Sequence, residues 1–136
     1  MKSSIGHLLY NIDPANCAFY KDLFTFLGWS VWVDTPNMLG LGNHRDESVW
    51  FAGPPKPVAN DYDGPGLNHL GIAVEEQADV ERVVVYLESQ RVAALFETPR
   101  HRPDFTSSPD QTYFQVMFES PDHILFEVVY IGPLQR

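Results

Sequence analysis

Cysteine is almost missing from this chain: Cys17 is the only one in 136 residues. That excludes an intrachain disulfide and a cysteine-rich zinc module. It fits a reducing cytoplasm. Cys17 falls within the first helical pattern, where a small buried hydrophobe is the simpler reading than a nucleophile. Long apolar runs are also missing, since none approaches the roughly 18 residues of a membrane span. Met1 to His7 contains neither the apolar stretch nor the small-residue cleavage site of a secretory signal. Positive charge is scarce, with nine Lys and Arg against eighteen Asp and Glu, a formal charge of −9. Such a surface repels phosphate backbones and anionic membranes, so neither nucleic acid nor a membrane is an expected partner. An anionic substrate would need a local positive cluster. With 44% hydrophobic and 20% charged residues, the chain reads as globular and long enough for one domain or two small modules.

The patterning runs twice through the same order. Ile5 to Ile12 reads as a strand, and Asp13-Pro14 as a helix start with its N-cap and first-turn proline. Phe19, Tyr20, Leu23, Phe24 and Leu27 recur at helical spacing before Gly28, which predicts a helix over 14–27. Short strands follow at 29–33, 38–41 and 48–52. The segment 54–65 is rich in Pro and Gly and reads as a linker between a first module, 1–53, and a second, 66–136. There the order restarts with a strand at 67–74, a helix over 75–90 and strands at 91–96, 113–118 and 124–130. A long loop is expected over 98–109. The fold class is therefore α+β, two βαβββ modules related by an internal repeat.

His7-Leu8 and His69-Leu70 occupy equivalent places in the two halves, 62 residues apart. Glu127 lies inside the apolar run Ile124 to Tyr130, where a carboxylate is costly to bury unless paired or bound to a metal. Strand alternation places Ile5, His7 and Leu9 on one face and separates Leu125, Glu127 and Val129 from Ile124, Phe126 and Val128. If those faces line one concave surface, two imidazoles and a carboxylate converge. That set suits a divalent first-row metal and leaves positions open for substrate. Taken singly, each histidine reads as a core residue and Glu127 as half of an ion pair.

These residues carry a resemblance to the vicinal oxygen chelate superfamily, the glyoxalase, bleomycin-resistance and dioxygenase group. The resemblance rests on the two βαβββ halves, on His7, on Leu67-Asn68-His69-Leu70-Gly71-Ile72-Ala73-Val74, and on the closing run from Tyr113 to Val128. It implies a glyoxalase-like fold, with a curved mixed sheet about a central cavity. It also implies a divalent metal (Fe, Mn, Zn or Ni) on His7, His69 and Glu127, and a homodimer in which His7 of one chain can meet His69 and Glu127 of another. Glyoxalase-type sites take a fourth ligand from the last strand of the first half. Here that strand offers Ser48, Val49, Trp50 and Phe51, with Glu47 only at its start. Ser120 and His123 depart from the family's Asp-Pro-Asp-Gly turn.

Around the site, Trp50 and Phe51 are candidate walls of a substrate pocket. Arg100-His101-Arg102 is the densest basic stretch, in a loop suited to act as a lid. Arg100 and Arg102 could clamp an anionic group, and His101 could act as general acid or base. Tyr113 and Tyr130 are candidate proton donors. The resemblance implies a cytoplasmic metal-dependent enzyme acting on a small oxygenated substrate by lyase or isomerase chemistry. An extradiol-type Fe(II) dioxygenase is the alternative. A drug-sequestering binding protein without chemistry is the alternative of another class.

Overall fold

The computed structural model describes residues 1–135. The chain divides into two units between Ala59 and Asn60, inside the expected linker 54–65. The first unit runs β1 (His7–Asn11), a 3-10 turn (Pro14–Asn16), α1 (Cys17–Phe26), β2 (Ser30–Thr35), β3 (Met38–Gly42) and β4 (Ser48–Ala52). The second runs β5 (His69–Val74), α2 (Gln77–Ser89), β6 (Leu95–His101), a 3-10 turn (Pro103–Phe105), β7 (Gln111–Glu119) and β8 (Leu125–Pro133). The sheet orders are β1-β4-β3-β2 and β5-β8-β7-β6. In each unit the first strand runs parallel to the last, and the other neighbours are antiparallel. The α+β class and the βαβββ repeat are therefore as the sequence predicts.

Local chemistry sets the element ends. Asp13 accepts the Ala15 N–H at 3.0 Å, so Pro14–Asn16 closes as a 3-10 turn and the α-helix proper starts at Cys17. Gly28, with φ +92°, ends α1 in the left-handed conformation glycine accepts without cost. α1 buries Tyr20, Leu23 and Phe24. Phe51 of β4 stacks on Tyr20 at 4.3 Å and meets Phe24 at 5.6 Å. In the second unit α2 buries Val80, Val83 and Leu87. Phe114, Val116 and Phe118 of β7 and Phe126, Val128 and Tyr130 of β8 form the apolar sheet face. β8 is buried without a break from Leu125 to Tyr130.

The strand expected at 91–96 differs from expectation at both ends. It begins only at Leu95, because Arg91 (φ +59°) completes the α2 terminus, its N–H donating to Glu88. The strand then continues to His101 and takes the first residues of the expected loop. It is irregular, with Phe96 and Glu97 at positive φ and a register shift between Leu95 and Arg100. Thr98 repairs the gap, its hydroxyl donating to the Leu95 carbonyl and accepting the Met117 N–H. In the turn before β8, Ser120 Oγ accepts the N–H groups of Asp122 and Ile124. His123 takes φ +59°, the conformation in which glycine is usual. Among the described residues no helix is long and apolar enough to cross a membrane.

Phe51 is 1% exposed and central to the first unit. Phe51→Ala is expected to cost about 3–5 kcal/mol of stability, measured by urea unfolding of the purified variant.

Candidate metal centre

Parallel pairing of β5 with β8 sets His69 opposite Leu125 and Gly71 opposite Glu127. These residues share one sheet face, away from the Ile72, Phe126 and Val128 side that meets α2. Glu127 is 3% exposed. Its Oε2 lies 3.0 Å from His69 Nε2, and its Oε1 accepts the Tyr113 hydroxyl at 2.5 Å. On the other side of the imidazole, Nδ1 lies 2.7 Å from Asn68 Oδ1, while Asn68 Nδ2 donates to the Tyr62 carbonyl at 2.9 Å. The second contact fixes the amide's orientation and leaves only its oxygen facing the ring. Nδ1 therefore carries the proton and donates. With Nδ1 so engaged, Nε2 and the carboxylate oxygen 3.0 Å away are held together by a proton or a cation between the two.

The donor set fits a divalent ion. Imidazole and carboxylate suit first-row metals. Two donors each about 2.1 Å from one ion and at right angles are about 3.0 Å apart, which is the separation found. An Nδ1–H bonded to a neighbouring acceptor is the usual support of a ligating imidazole. His7 opens β1 in the first unit; it is exposed and shares a sheet face with Leu9, Ser48 and Trp50. Among the described residues no group of three His, Cys, Asp or Glu side chains is gathered for a metal. The second unit thus brings two of the three expected ligands together.

Register also locates the position in the first unit that answers to Glu127. His7 pairs with Ser48 as His69 pairs with Leu125, so the place of Glu127 is taken in the first unit by Trp50. Trp50 donates through Nε1 to Ser48 Oγ at 3.0 Å. Its ring lies over Gly40, where a Cβ would come within 2.4 Å of it. Trp32 covers Gly42 in the same way. Glu47 is bound into its turn, its carboxylate accepting from Asn43 Nδ2.

Three expectations require correction. Phe51 does not wall a pocket: strand alternation turns it to the α1 side, opposite Trp50. His101 pairs with Phe114 and so lies on the α2 side of its sheet, 4.7 Å from the Phe114 ring and 2.5 Å from Thr112 Oγ1. It stands on the wrong face to serve Glu127. Tyr130 also lies on that side and donates to the Pro133 carbonyl. Arg100 pairs with Gln115, on the Glu127 face, from a strand rather than a lid loop. Its Nη1 reaches Glu97 at 3.4 Å, and its buried Nε has no hydrogen-bond partner among the described residues. Arg102 lies 4.2 Å above the Phe105 ring and forks onto Asp104. Phe105 meets the Tyr113 ring edge-on at 5.2 Å. The Asp104 bond raises the Arg102 pKa most, with smaller contributions from the charges of Tyr113 and Glu127. Sequence reasoning assigned no role to Asn68 or Tyr62. The one available signal was an amide directly beside a candidate ligand.

No family model and no curated protein matches the chain with significance. Its fold is nonetheless shared with solved structures. A candidate glyoxalase from Bacillus halodurans superposes with a TM-score of 0.76 at 21% identity, over 93% of this chain and 94% of that one. A glyoxalase/dioxygenase from Nostoc punctiforme gives 0.69 at 17%, over 96% and 92%. The genomically encoded fosfomycin resistance protein FosX of Listeria monocytogenes, complexed with Mn(II) and sulfate, gives 0.66 at 15%, over 98% and 94%. The chain therefore has the glyoxalase-like fold of these proteins, as its resemblance to the vicinal oxygen chelate group implies.

Burial first, and then the bond to Glu127, raise the Tyr113 pKa above the ordinary tyrosine range. A raised folded-state value gives a stabilising contribution that is complete below the unfolded pKa of about 10 and is lost as the pH rises through the folded one. Between about pH 10 and the folded value, wild type should lose more stability than Tyr113→Phe. Absorbance titration should show the variant lacking only the high-pH part of the tyrosine signal.

Proposed function

We propose that this chain is a divalent-metal-dependent enzyme of the vicinal oxygen chelate type, acting on a small oxygenated substrate. The proposed ligands are His69, Glu127 and His7, the last from the same chain or from a second copy in a homodimer. The observation that carries this reading is the His69 Nε2 to Glu127 Oε2 contact of 3.0 Å, with the Nδ1 proton already committed to Asn68. The Mn(II) complex of FosX supports a divalent ion on this fold; Fe, Zn and Ni suit the same donors. A bound ion would supply Lewis acidity toward a substrate oxygen.

The chain's own residues do the rest. Tyr113 orients Glu127 and, held protonated, can donate but not abstract a proton at neutral pH. Arg102 and Arg100 place positive charge on the same face for an anionic substituent. Trp50 offers an apolar wall. Lyase or isomerase chemistry is the first reading. Extradiol-type Fe(II) dioxygenase chemistry is the second, favoured by Trp50 at the register position where a second carboxylate would complete a glyoxalase-type set. The single cysteine fits a cytoplasmic setting.

Elemental analysis of the purified protein tests this reading. About one ion per His69–Glu127 pair is expected, with most of it lost in His69→Ala and in His7→Ala. A protein that holds no ion and takes up none, with its fold intact, would instead be a ligand-binding module. The metal found then sorts the assays: iron calls for oxygen consumption with catechol-type substrates, and Mn, Zn or Ni for lyase and isomerase substrates.

A further inference from the structure

The segment from Asn60 to Asn68 has the composition of a linker, yet it is tied to the second unit along its length. Asn60 Nδ2 donates to the His123 carbonyl at 2.9 Å. The Tyr62 hydroxyl donates to Glu119 Oε1, and the Tyr62 ring stacks on His123 at 4.8 Å. His123 Nδ1 lies 3.1 Å from the other Glu119 oxygen. Between these anchors the Asp61–Gly64 turn is closed by the Gly64 N–H on the Asp61 carbonyl and the Asp63 N–H on Asp61 Oδ1. The Tyr62 carbonyl then accepts from Asn68 Nδ2, and Asn68 Oδ1 accepts from His69 Nδ1. A continuous series of contacts thus runs from the β7–β8 turn to the imidazole.

We propose that Asn68 is a positioning residue for His69, and that the Tyr62–Glu119 contact holds it in place. Asn68 is exposed. A free surface asparagine rotates, and a single exposed hydrogen bond holds it only weakly. Engaging both ends of the amide removes that freedom. With Nδ1–H committed, Nε2 is the nitrogen left to ligate. Without Asn68 a neutral imidazole can place its proton on Nε2 and donate it to Glu127, which turns the lone pair away from the site. Only the consequence for a bound ion rests on the proposed function; the proton's position does not. Loss of such an outer partner typically lowers metal affinity about 10–100-fold.

Two measurements decide the matter. Long-range proton–nitrogen NMR on metal-free protein, at about pH 8 and so above the ordinary histidine range, reads the His69 ring. A proton on Nδ1 is expected in wild type and in Asn68→Asp, which keeps an acceptor oxygen. A bare Nδ1 is expected in Asn68→Leu. A bare Nδ1 in wild type, or no change in Asn68→Leu, overturns the proposal whether or not the protein takes a metal. Zn(II) affinity by competition with a chromophoric chelator is the second readout, with circular dichroism melting as the fold control. Asn68→Leu should bind about 10–100-fold more weakly, Asn68→Asp should recover most of the loss, and Tyr62→Phe should fall between. Equal affinity in wild type and Asn68→Leu overturns the proposal. Failure of wild type to bind Zn(II) counts against the metal reading alone, and the NMR result still decides the role of Asn68.

Discussion

Glu127 is a carboxylate set in the middle of a buried strand, and the candidate site is organised by the need to compensate it. An uncompensated ion there would cost several kcal/mol. Each of its oxygens has a partner, His69 for one and Tyr113 for the other. Those partners come from the two strands that flank β8, so the site exists only if β5 lies parallel on one side and β7 antiparallel on the other. The βαβββ topology delivers that arrangement, because the helical crossover carries the chain from β5 to β6 at the far edge and the antiparallel run β6-β7-β8 then returns the last strand to lie parallel beside the first. The fold and the polar constellation are therefore one problem: a register slip of one residue on β8 would turn Glu127 into the α2-facing core and bring Phe126 or Val128 to the site.

Support spreads outward from that centre in two directions. On the Tyr113 side, an edge-on ring contact to Phe105 and the cation stacked above Phe105 link the strand to the 3-10 turn at Pro103–Phe105. On the His69 side, Asn68 and Tyr62 lead to Glu119 and the turn at His123. His123 keeps the left-handed backbone of a glycine turn while supplying a ring for Tyr62 to stack on. A glycine could hold that turn more easily but could not anchor the segment. The departure from the Asp-Pro-Asp-Gly turn that the resemblance implies thus has a physical use in this chain, and Ser120 serves the turn by accepting two backbone N–H groups.

Much of this is legible in the sequence because it depends on short-range regularities. The repeat, the helical stripe of Tyr20, Leu23 and Phe24, and the alternation around Glu127 need only the periods of helix and strand. Pairing of Glu127 with His69 follows once the repeat is read as βαβββ. What escaped reading depends on where individual hydrogen bonds fall. Thr98 repairs an irregular β6 through its side chain, and that repair moves Arg100 and His101 from an expected loop onto a strand. Once there, alternation separates them, with Arg100 toward Glu127 and His101 toward Phe114. The same alternation divides Trp50 from Phe51, which aromatic content alone could not do. Asn68 escaped because its role depends on Tyr62, which sits beyond a turn of proline and glycine with no periodic pattern to follow.

The two units differ most where the repeat would make them chemically equal. A carboxylate at Trp50 would give each unit its own His–Glu pair. Trp50 instead occupies the position with an indole seated over Gly40, and its Nε1 is satisfied by Ser48. The substitution is built in, since Gly40 makes the space and Ser48 accepts the one polar hydrogen. It leaves two imidazoles and one carboxylate as the candidate donors, a set with open positions. Proton abstraction from a substrate would then lack a second glutamate, and Tyr113, held protonated by burial and by its bond to Glu127, would not replace it. On the proposed metal reading, lyase or isomerase chemistry would therefore need a base other than a second glutamate or Tyr113. The indole in place of a carboxylate is thus what keeps the first unit from repeating the His–Glu pair of the second.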